Sequence, residues 1–156
     1  MTDECRKRLG PGSKQQKTED EAALSYGVGR CVLLSEPLGR SVTVALLSTT
    51  TQRVGQGLHS RISYLFDGMR ELVSRLGSAR INEVIMPLLG SGHGGVDPPL
   101  AFVGLLAALA EAARYAQGSQ RLRKVTVVVY RRDTRSKPQV DPVVVQRVLA
   151  LISSLG

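Results

Sequence analysis

Residues 85–99 read IMPLLGSGHGGVDPP and indicate the fold of the chain. An apolar segment enters a loop with four glycines, and a helix is predicted to begin directly after that loop. Glycines let the backbone approach a phosphate closely, and free N–H groups near a helix N-terminus attract anions. The sequence therefore predicts an anion-binding loop at residues 90–95, called the glycine loop below.

The composition is that of a folded, basic domain. The chain has 156 residues, 42% of them apolar, and a formal net charge of +8. This length is sufficient for one domain with its own core. The positive charge suits a nucleotide, a nucleic acid or a membrane surface, and solvated surface charge is the equally weighted alternative. Aromatic residues make up only 4% of the chain, which disfavours stacking on single-stranded nucleic acid.

Several function classes are disfavoured by what the sequence lacks. There is no run of about 18 apolar residues and no apolar core near the N-terminus, so we expect neither a membrane span nor a secretory signal. Cys5 and Cys31 are predicted to be free thiols of a cytoplasmic protein, with a single disulfide as the alternative. The two cysteines and two histidines lack the spacing of metal ligands, so no metal or other cofactor is expected.

The chain is predicted to consist of a tail and one domain. Residues 1–22 mix acidic and basic side chains without apolar periodicity, which predicts a charged, flexible tail. Residues 23–156 alternate apolar strands with amphipathic helices in the order β-β-α-β-α-β-α. The predicted elements are strands at 31–34, 41–47, 81–89 and 124–130, and helices over 58–77, from 98 onward, and over 141–155.

This element order predicts an α/β domain with a largely parallel sheet between helices. The first two strands are expected to form a hairpin, and the strand at 81–89 is expected to be covered on both faces. Gly77 is predicted to end the first helix. Asp97 is predicted to cap the second helix, with Pro98 and Pro99 in its first turn, where proline is tolerated.

Polar residues follow three of the predicted strands. They lie in residues 49–52, 90–95 and 130–132. Ligands in parallel sheets bind at the C-terminal ends of the strands, so these three segments are expected to lie along one rim of the sheet. Thr49 and Thr50 are predicted to donate to phosphate or ribose, and the alternative is that they satisfy the loop backbone. Arg131 and Arg132 are interpreted as an exposed basic loop, with neutralisation of a diphosphate as the alternative.

The glycine loop lacks the Lys-Ser/Thr pair of a P-loop, so hydrolysis of nucleoside triphosphates is not supported. Its pattern suits a diphosphate held by backbone N–H groups, and a tight turn without a ligand is the alternative. His93 is interpreted as a ligand contact or loop-shaping residue, because no partner is positioned to make it a general base. The predicted ligand-binding residues of the loop are Gly90, Ser91, Gly92, His93, Gly94 and Gly95.

Residues 86–95, the Ala/Leu-rich helix after them and the strand at 125–130 resemble the second half of a macro domain. The resemblance extends over residues 26–152 and implies a three-layer α/β/α macro-like fold. In that family the matching loop wraps the diphosphate of ADP-ribose, which implies the same role for the glycine loop. Residues 26–47 look closer to the macro-like sensor domain of Thoeris-type bacterial antiphage proteins. That branch senses an ADP-ribose-derived signal made by a TIR-domain enzyme.

One part of the family pattern has no match in this chain. The family's first strands, and the Asn-containing loop that carries catalysis in its hydrolase members, are not found. A binding module without chemistry is therefore expected. The alternatives are an ADP-ribosyl hydrolase, with His93 or Asp97 assisting water, and a basic domain that contacts nucleic acid. Because unmatched strands would leave a sheet edge unpaired, self-association is also expected.

Overall fold

The computed structural model describes Lys7 and residues 13–18, 21–25, 27–36, 42–53, 57–116, 122–130 and 139–154. Over these residues the chain is a mixed α/β protein, which confirms the predicted class. The strands and helices, in chain order, are β1 Ser13–Thr18, β2 Glu21–Ser25, β3 Cys31–Ser35, β4 Thr43–Leu47, β5 Thr51–Arg53, β6 Gly57–His59, α1 Ile62–Ser78, β7 Glu83–Pro87, α2 Pro98–Tyr115, β8 Lys124–Val128 and α3 Pro142–Ser154.

The strands of the described residues associate in pairs. β1 with β2, β3 with β4, and β5 with β6 are antiparallel, whereas β7 and β8 are parallel. The predicted hairpin of β3 and β4 is confirmed, and its predicted turn at residues 37–40 lies outside the described residues. In the parallel pair Pro87 lies opposite Val128, so β7 and β8 end at the same edge. The predicted three-layer arrangement of a single sheet stays a prediction.

The core is built mainly by α1 and α2. Leu65 and Met69 of α1 and Leu105 of α2 are fully buried, as the helical spacing of apolar residues predicts. Burial of each such side chain contributes about 1.5–3 kcal/mol to stability. Gly104 permits close contact between the helices, because a Cβ atom there would lie 2.9 Å from Cδ1 of Ile62. The two helices therefore pack closely together and form the part of the core that the strands and loops contact.

The boundaries of α1 differ from the prediction at both ends. Leu58 was predicted to begin the apolar stripe of this helix, but it lies in β6, and α1 begins at Ile62. Gly77 does not end the helix, which continues to Ser78. The left-handed residue that follows is Arg80, at φ 60°, although glycine favours this conformation most. The sequence signal for the end of the helix was therefore misleading.

Two segments predicted to lack regular structure contain strands. Residues 48–53, predicted to be a polar loop, include β5, which pairs with β6. The predicted tail at residues 1–22 overlaps the hairpin of β1 and β2. These short strands are rich in polar residues, so they lack the apolar alternation that indicates a strand.

The prediction that the strand at 81–89 is covered on both faces is wrong. Met86 is 5% exposed, but its neighbour Ile85 is 75% exposed. Successive side chains of a strand point to opposite faces, so the core covers only the face that carries Met86. Val128 on β8 is exposed in the same way. Within the described residues, the face of the β7–β8 pair that carries Ile85 and Val128 is therefore open.

The described residues contain neither a candidate membrane span nor a candidate metal site. None of the helices found there is both long and apolar enough to cross a bilayer. No group of three or more His, Cys, Asp or Glu residues in these ranges is arranged to hold a metal ion.

Candidate ligand-binding loop

The glycine loop follows β7 and is closed by hydrogen bonds of its own backbone. The N–H of Val96 donates to the carbonyl oxygen of Gly90 at 3.0 Å, and the N–H of Gly95 donates to that of Gly92 at 3.1 Å. The Ser91 hydroxyl donates to the carbonyl oxygen of Leu88 at 3.1 Å. The Ser91 hydroxyl must therefore leave this internal bond before it can donate to a phosphate.

Three of the four glycines are needed by the loop itself. Gly90 and Gly95 have φ angles of 84° and 71°, in the left-handed region that disfavours other residues. A Cβ atom at Gly94 would lie 2.6 Å from Cβ of Ser60 and 2.7 Å from the carbonyl oxygen of Gly90. Gly92 has nothing within 4 Å of its Cβ position. The number of glycines is thus largely explained by the turn and does not by itself indicate a ligand.

The backbone donors of the loop give a more specific signal. Within the described residues, the N–H groups of Ser91, Gly92, His93 and Gly94 have no hydrogen-bond partner. Gly92 and His93 are exposed, Ser91 is half-buried, and Gly94 is buried, so the first three N–H groups are the more accessible ones. Consecutive unpaired N–H groups in a turn can bind an anion without any charged side chain. This run of donors is what the loop offers to a phosphate.

The N-terminus of α2 adds few donors to this set. Pro98 and Pro99 have no N–H group. The N–H of Leu100 donates to Oδ1 of Asp97 at 3.4 Å, which confirms the predicted cap, and that of Ala101 donates to the Asp97 carbonyl oxygen at 2.8 Å. The Asp97 carboxylate occupies the position at which a helix favours negative charge. An anion at the loop would therefore depend on the loop's own N–H groups more than on the helix.

Ser60 joins the glycine loop to the segment after β4, and sequence reasoning missed it. Its N–H donates to the carbonyl oxygen of Gly94 at 2.9 Å, and its hydroxyl donates to that of Thr49 at 2.7 Å. The two predicted rim segments that contain Gly94 and Thr49 are thereby brought together. The sequence shows Ser60 only as a small polar residue between a strand and an amphipathic helix. Such residues are too common at this position for the pattern to identify Ser60.

The two threonines occupy different environments. Thr49 is 7% exposed, and its Cγ2 lies 3.3 Å from the position that a Cβ atom of Gly68 would take. Its methyl group therefore packs against α1, and its carbonyl oxygen accepts the Ser60 hydrogen bond. The predicted role of the Thr49 hydroxyl as a donor to phosphate or ribose stays a prediction. Thr50 is half-buried at the rim, and its role as a donor stays a prediction.

The remaining candidate side chains lie at the surface or beyond the described residues. His93 is exposed and forms no hydrogen bond or ion pair within the described ranges. His59 is also exposed and lies in β6, not at the start of the helix. Arg131 and Arg132 lie outside the described residues. Tyr130, two residues after β8, is 65% exposed.

Cys31 is a free, buried thiol, as predicted, and Cys5 lies outside the described residues. Burial raises the pKa of Cys31 because it removes water from the thiolate. The negative charge of Glu71 raises this pKa further, whereas the positive charge of Arg75 lowers it. The thiol is therefore protonated at neutral pH and is not an activated nucleophile.

Comparison with known proteins gives similarity at the level of structure. No protein-family model matches the sequence, and no curated protein matches it. Among solved structures, the chain is similar to the macrodomain of Thermus aquaticus DarG, with 24% sequence identity and a TM-score of 0.46. The similarity covers 65% of this chain and 61% of that chain, which is less than two thirds of the macrodomain's length.

Proposed function

We propose that this chain binds ADP-ribose or a related ADP-ribose-derived nucleotide, with the diphosphate on the glycine loop. The observation that carries the proposal is the run of N–H groups from Ser91 to Gly94 that have no partner within the described residues. A diphosphate has several acceptor oxygens, and successive backbone donors suit them better than a single side chain would. The resemblance of residues 86–95 to the diphosphate loop of macro domains supports ADP-ribose as the ligand.

The glycine loop is preorganised, because hydrogen bonds order it in the absence of a ligand. The bonds from Val96 to Gly90 and from Gly95 to Gly92 hold its turn, and Ser60 fixes Gly94 from outside. A site that is already ordered loses less conformational entropy when it binds. The loop can therefore use its N–H groups for affinity and not for its own folding.

A second part of the proposed site is Tyr130. Because Pro87 and Val128 are paired in parallel register, the chain after β7 and the chain after β8 leave the sheet at the same edge. The exposed ring of Tyr130 can provide an apolar face for the adenine or a ribose, while its hydroxyl stays in water. Thr50 at the same rim is the proposed donor to a ribose or phosphate oxygen.

The arrangement supports binding more than catalysis. His93 has no partner in the described residues that would orient it or accept its proton. The carboxylate of Asp97 is engaged by the N–H of Leu100. A general base must reach the proton that it removes and be held in position, and neither group meets both conditions. We therefore propose a binding module and no hydrolase activity.

The proposed biological role is that of a sensor in antiviral defence. It is supported by the resemblance of residues 26–47 to Thoeris-type sensor domains. A gene for a TIR-domain protein beside the gene for this chain would strengthen the proposal. Absence of such a neighbouring gene across related genomes would count against the sensor role and would not affect the proposed binding of ADP-ribose.

Calorimetry with ADP-ribose, NAD and AMP tests the proposed function. We expect ADP-ribose to bind more tightly than AMP, because AMP lacks the diphosphate. No heat from any of the three at millimolar concentration would refute the proposal. Titrations at two salt concentrations separate the nucleic-acid alternative, since contacts to many phosphates weaken steeply as salt rises. ADP-ribose on backbone donors should show a much smaller dependence.

A further inference from the structure

Three cationic residues lie at the end of the β7–β8 pair that is opposite to the glycine loop. β7 leads into that loop, so the segment before β7 lies at the far end of the strand, about 17 Å away. In this segment the carbonyl oxygen of Asn82 accepts hydrogen bonds from the N–H of Arg123 at 2.7 Å and from that of Lys124 at 3.2 Å. These bonds bring Arg123 and Lys124 beside the residues that follow α1, among them Arg80. We call Arg80, Arg123 and Lys124 the basic end.

The charge of the basic end is only partly balanced by an acidic residue. All three side chains are exposed. Glu83 lies opposite Lys124 in the parallel register, and its Oε2 is 3.9 Å from the Lys124 Nζ. Both partners of this pair are exposed, so water screens the interaction and the pair is weak. Within the described residues, Arg80 and Arg123 form no ion pair. The local charge at this end therefore stays positive.

The backbone of Arg80 gives a second, independent indication. Its φ angle is 60°, in the left-handed region where glycine is favoured over other residues. The last carbonyl groups of α1 accept hydrogen bonds from the backbone N–H groups of Ala79, Arg80 and Ile81, so the helix end does not depend on an arginine side chain. An unfavourable conformation at a residue whose side chain the fold does not use points to a function of that side chain.

We propose that the basic end binds the phosphate backbone of double-stranded nucleic acid. A guanidinium group can donate two parallel hydrogen bonds to one phosphate, and neighbouring cations match the row of phosphates along a strand. Aromatic residues make up only 4% of the chain, so rings that stack on the bases of a single strand are scarce, and a duplex contacted through its backbone is favoured. Backbone contacts carry no sequence information, so binding does not depend on the base sequence. The glycine loop at the other end of the sheet stays free for ADP-ribose.

Fluorescence anisotropy of a labelled DNA duplex with the full chain tests the proposal. Three phosphate contacts predict that the affinity falls about 40-fold when salt rises from about 50 to about 200 mM. Arg80→Gly removes one contact, so the fall should be only about 12-fold. The variant should fold with a stability close to that of wild type, because glycine suits a left-handed position. Arg80→Lys keeps the charge and should retain the salt dependence of wild type.

Arg61→Ala is the matched control, because it removes the same charge just before the other end of α1. It should leave the salt dependence of duplex binding unchanged, and saturating ADP-ribose should not displace the duplex. The proposal would be overturned by the absence of saturable duplex binding, or by equal salt dependence of Arg80→Gly and wild type. Displacement of the duplex by ADP-ribose would overturn it as well, since the phosphates would then lie on the glycine loop. Tighter binding to vesicles of phosphatidylcholine and phosphatidylserine than to the duplex would assign the basic end to a membrane surface instead.

Discussion

Replacement of Gly94 by alanine is the sharpest perturbation of the glycine loop. The new Cβ atom would lie 2.6 Å from Cβ of Ser60 and 2.7 Å from the carbonyl oxygen of Gly90. Neither neighbour is the end of a flexible side chain, so the backbone of the loop must move. Overpacking of this kind costs about 1–3 kcal/mol. The shift would also strain the hydrogen bond from the Ser60 N–H to the Gly94 carbonyl oxygen.

Urea unfolding gives the stability change, and calorimetry with ADP-ribose gives the change in binding. We expect Gly94→Ala to lower the free energy of unfolding by about 1–3 kcal/mol and to weaken ADP-ribose binding. Gly92→Ala is the matched control, because no atom lies within 4 Å of its Cβ position. It should leave stability unchanged or raise it by up to about 1 kcal/mol. Equal stability of Gly94→Ala and wild type, or an equal loss in both variants, would refute this account of the loop.

Substitutions at four further positions give additional tests. Ser60→Ala removes the donor to the carbonyl oxygen of Thr49 and should lower the free energy of unfolding by about 1 kcal/mol in urea titrations. Asp97→Asn keeps an oxygen to cap α2 but removes a negative charge near the loop, so ADP-ribose should bind more tightly at low salt in calorimetry. Tyr130→Ala should weaken ADP-ribose binding, whereas the phenylalanine variant should retain it, because the proposed contact uses the ring. The raised pKa of Cys31 means that the fold favours the neutral thiol. The stabilisation that the neutral Cys31 thiol contributes is fully present below the ordinary thiol pKa and is lost as the pH rises through the raised pKa. Cys31→Ala has no thiol to ionise, so its free energy of unfolding in urea titrations should fall less than that of wild type as the pH becomes alkaline.

The position of the glycine loop between β7 and α2 could be predicted because its signals are local. Asp97, Pro98 and Pro99 mark the start of α2, and their geometry depends on neighbours in sequence. The link through Ser60 could not be predicted, because its partners Thr49 and Gly94 lie 11 and 34 residues away in the chain. Sequence patterns do not specify which distant backbone atoms a small hydroxyl residue will meet.

The exposure of Ile85 shows a second limit. A continuous apolar run is typical of a strand covered on both faces, which led to the wrong prediction for this strand. Burial depends on what packs against each face, and the run itself contains no information about the covering element. Exposed apolar residues of β4 and β7 line one cavity, and no local pattern in the sequence indicates this.

An NMR titration of the isotope-labelled chain with ADP-ribose tests the proposed binding site residue by residue. The claim is that the unpaired N–H groups from Ser91 to Gly94 bind the diphosphate. We predict that the amide signals of these residues shift on addition of ADP-ribose and do not shift on addition of adenosine, which has no phosphate. ADP-ribose that leaves these amide signals unmoved, or shifts only signals elsewhere in the chain, would contradict the claim.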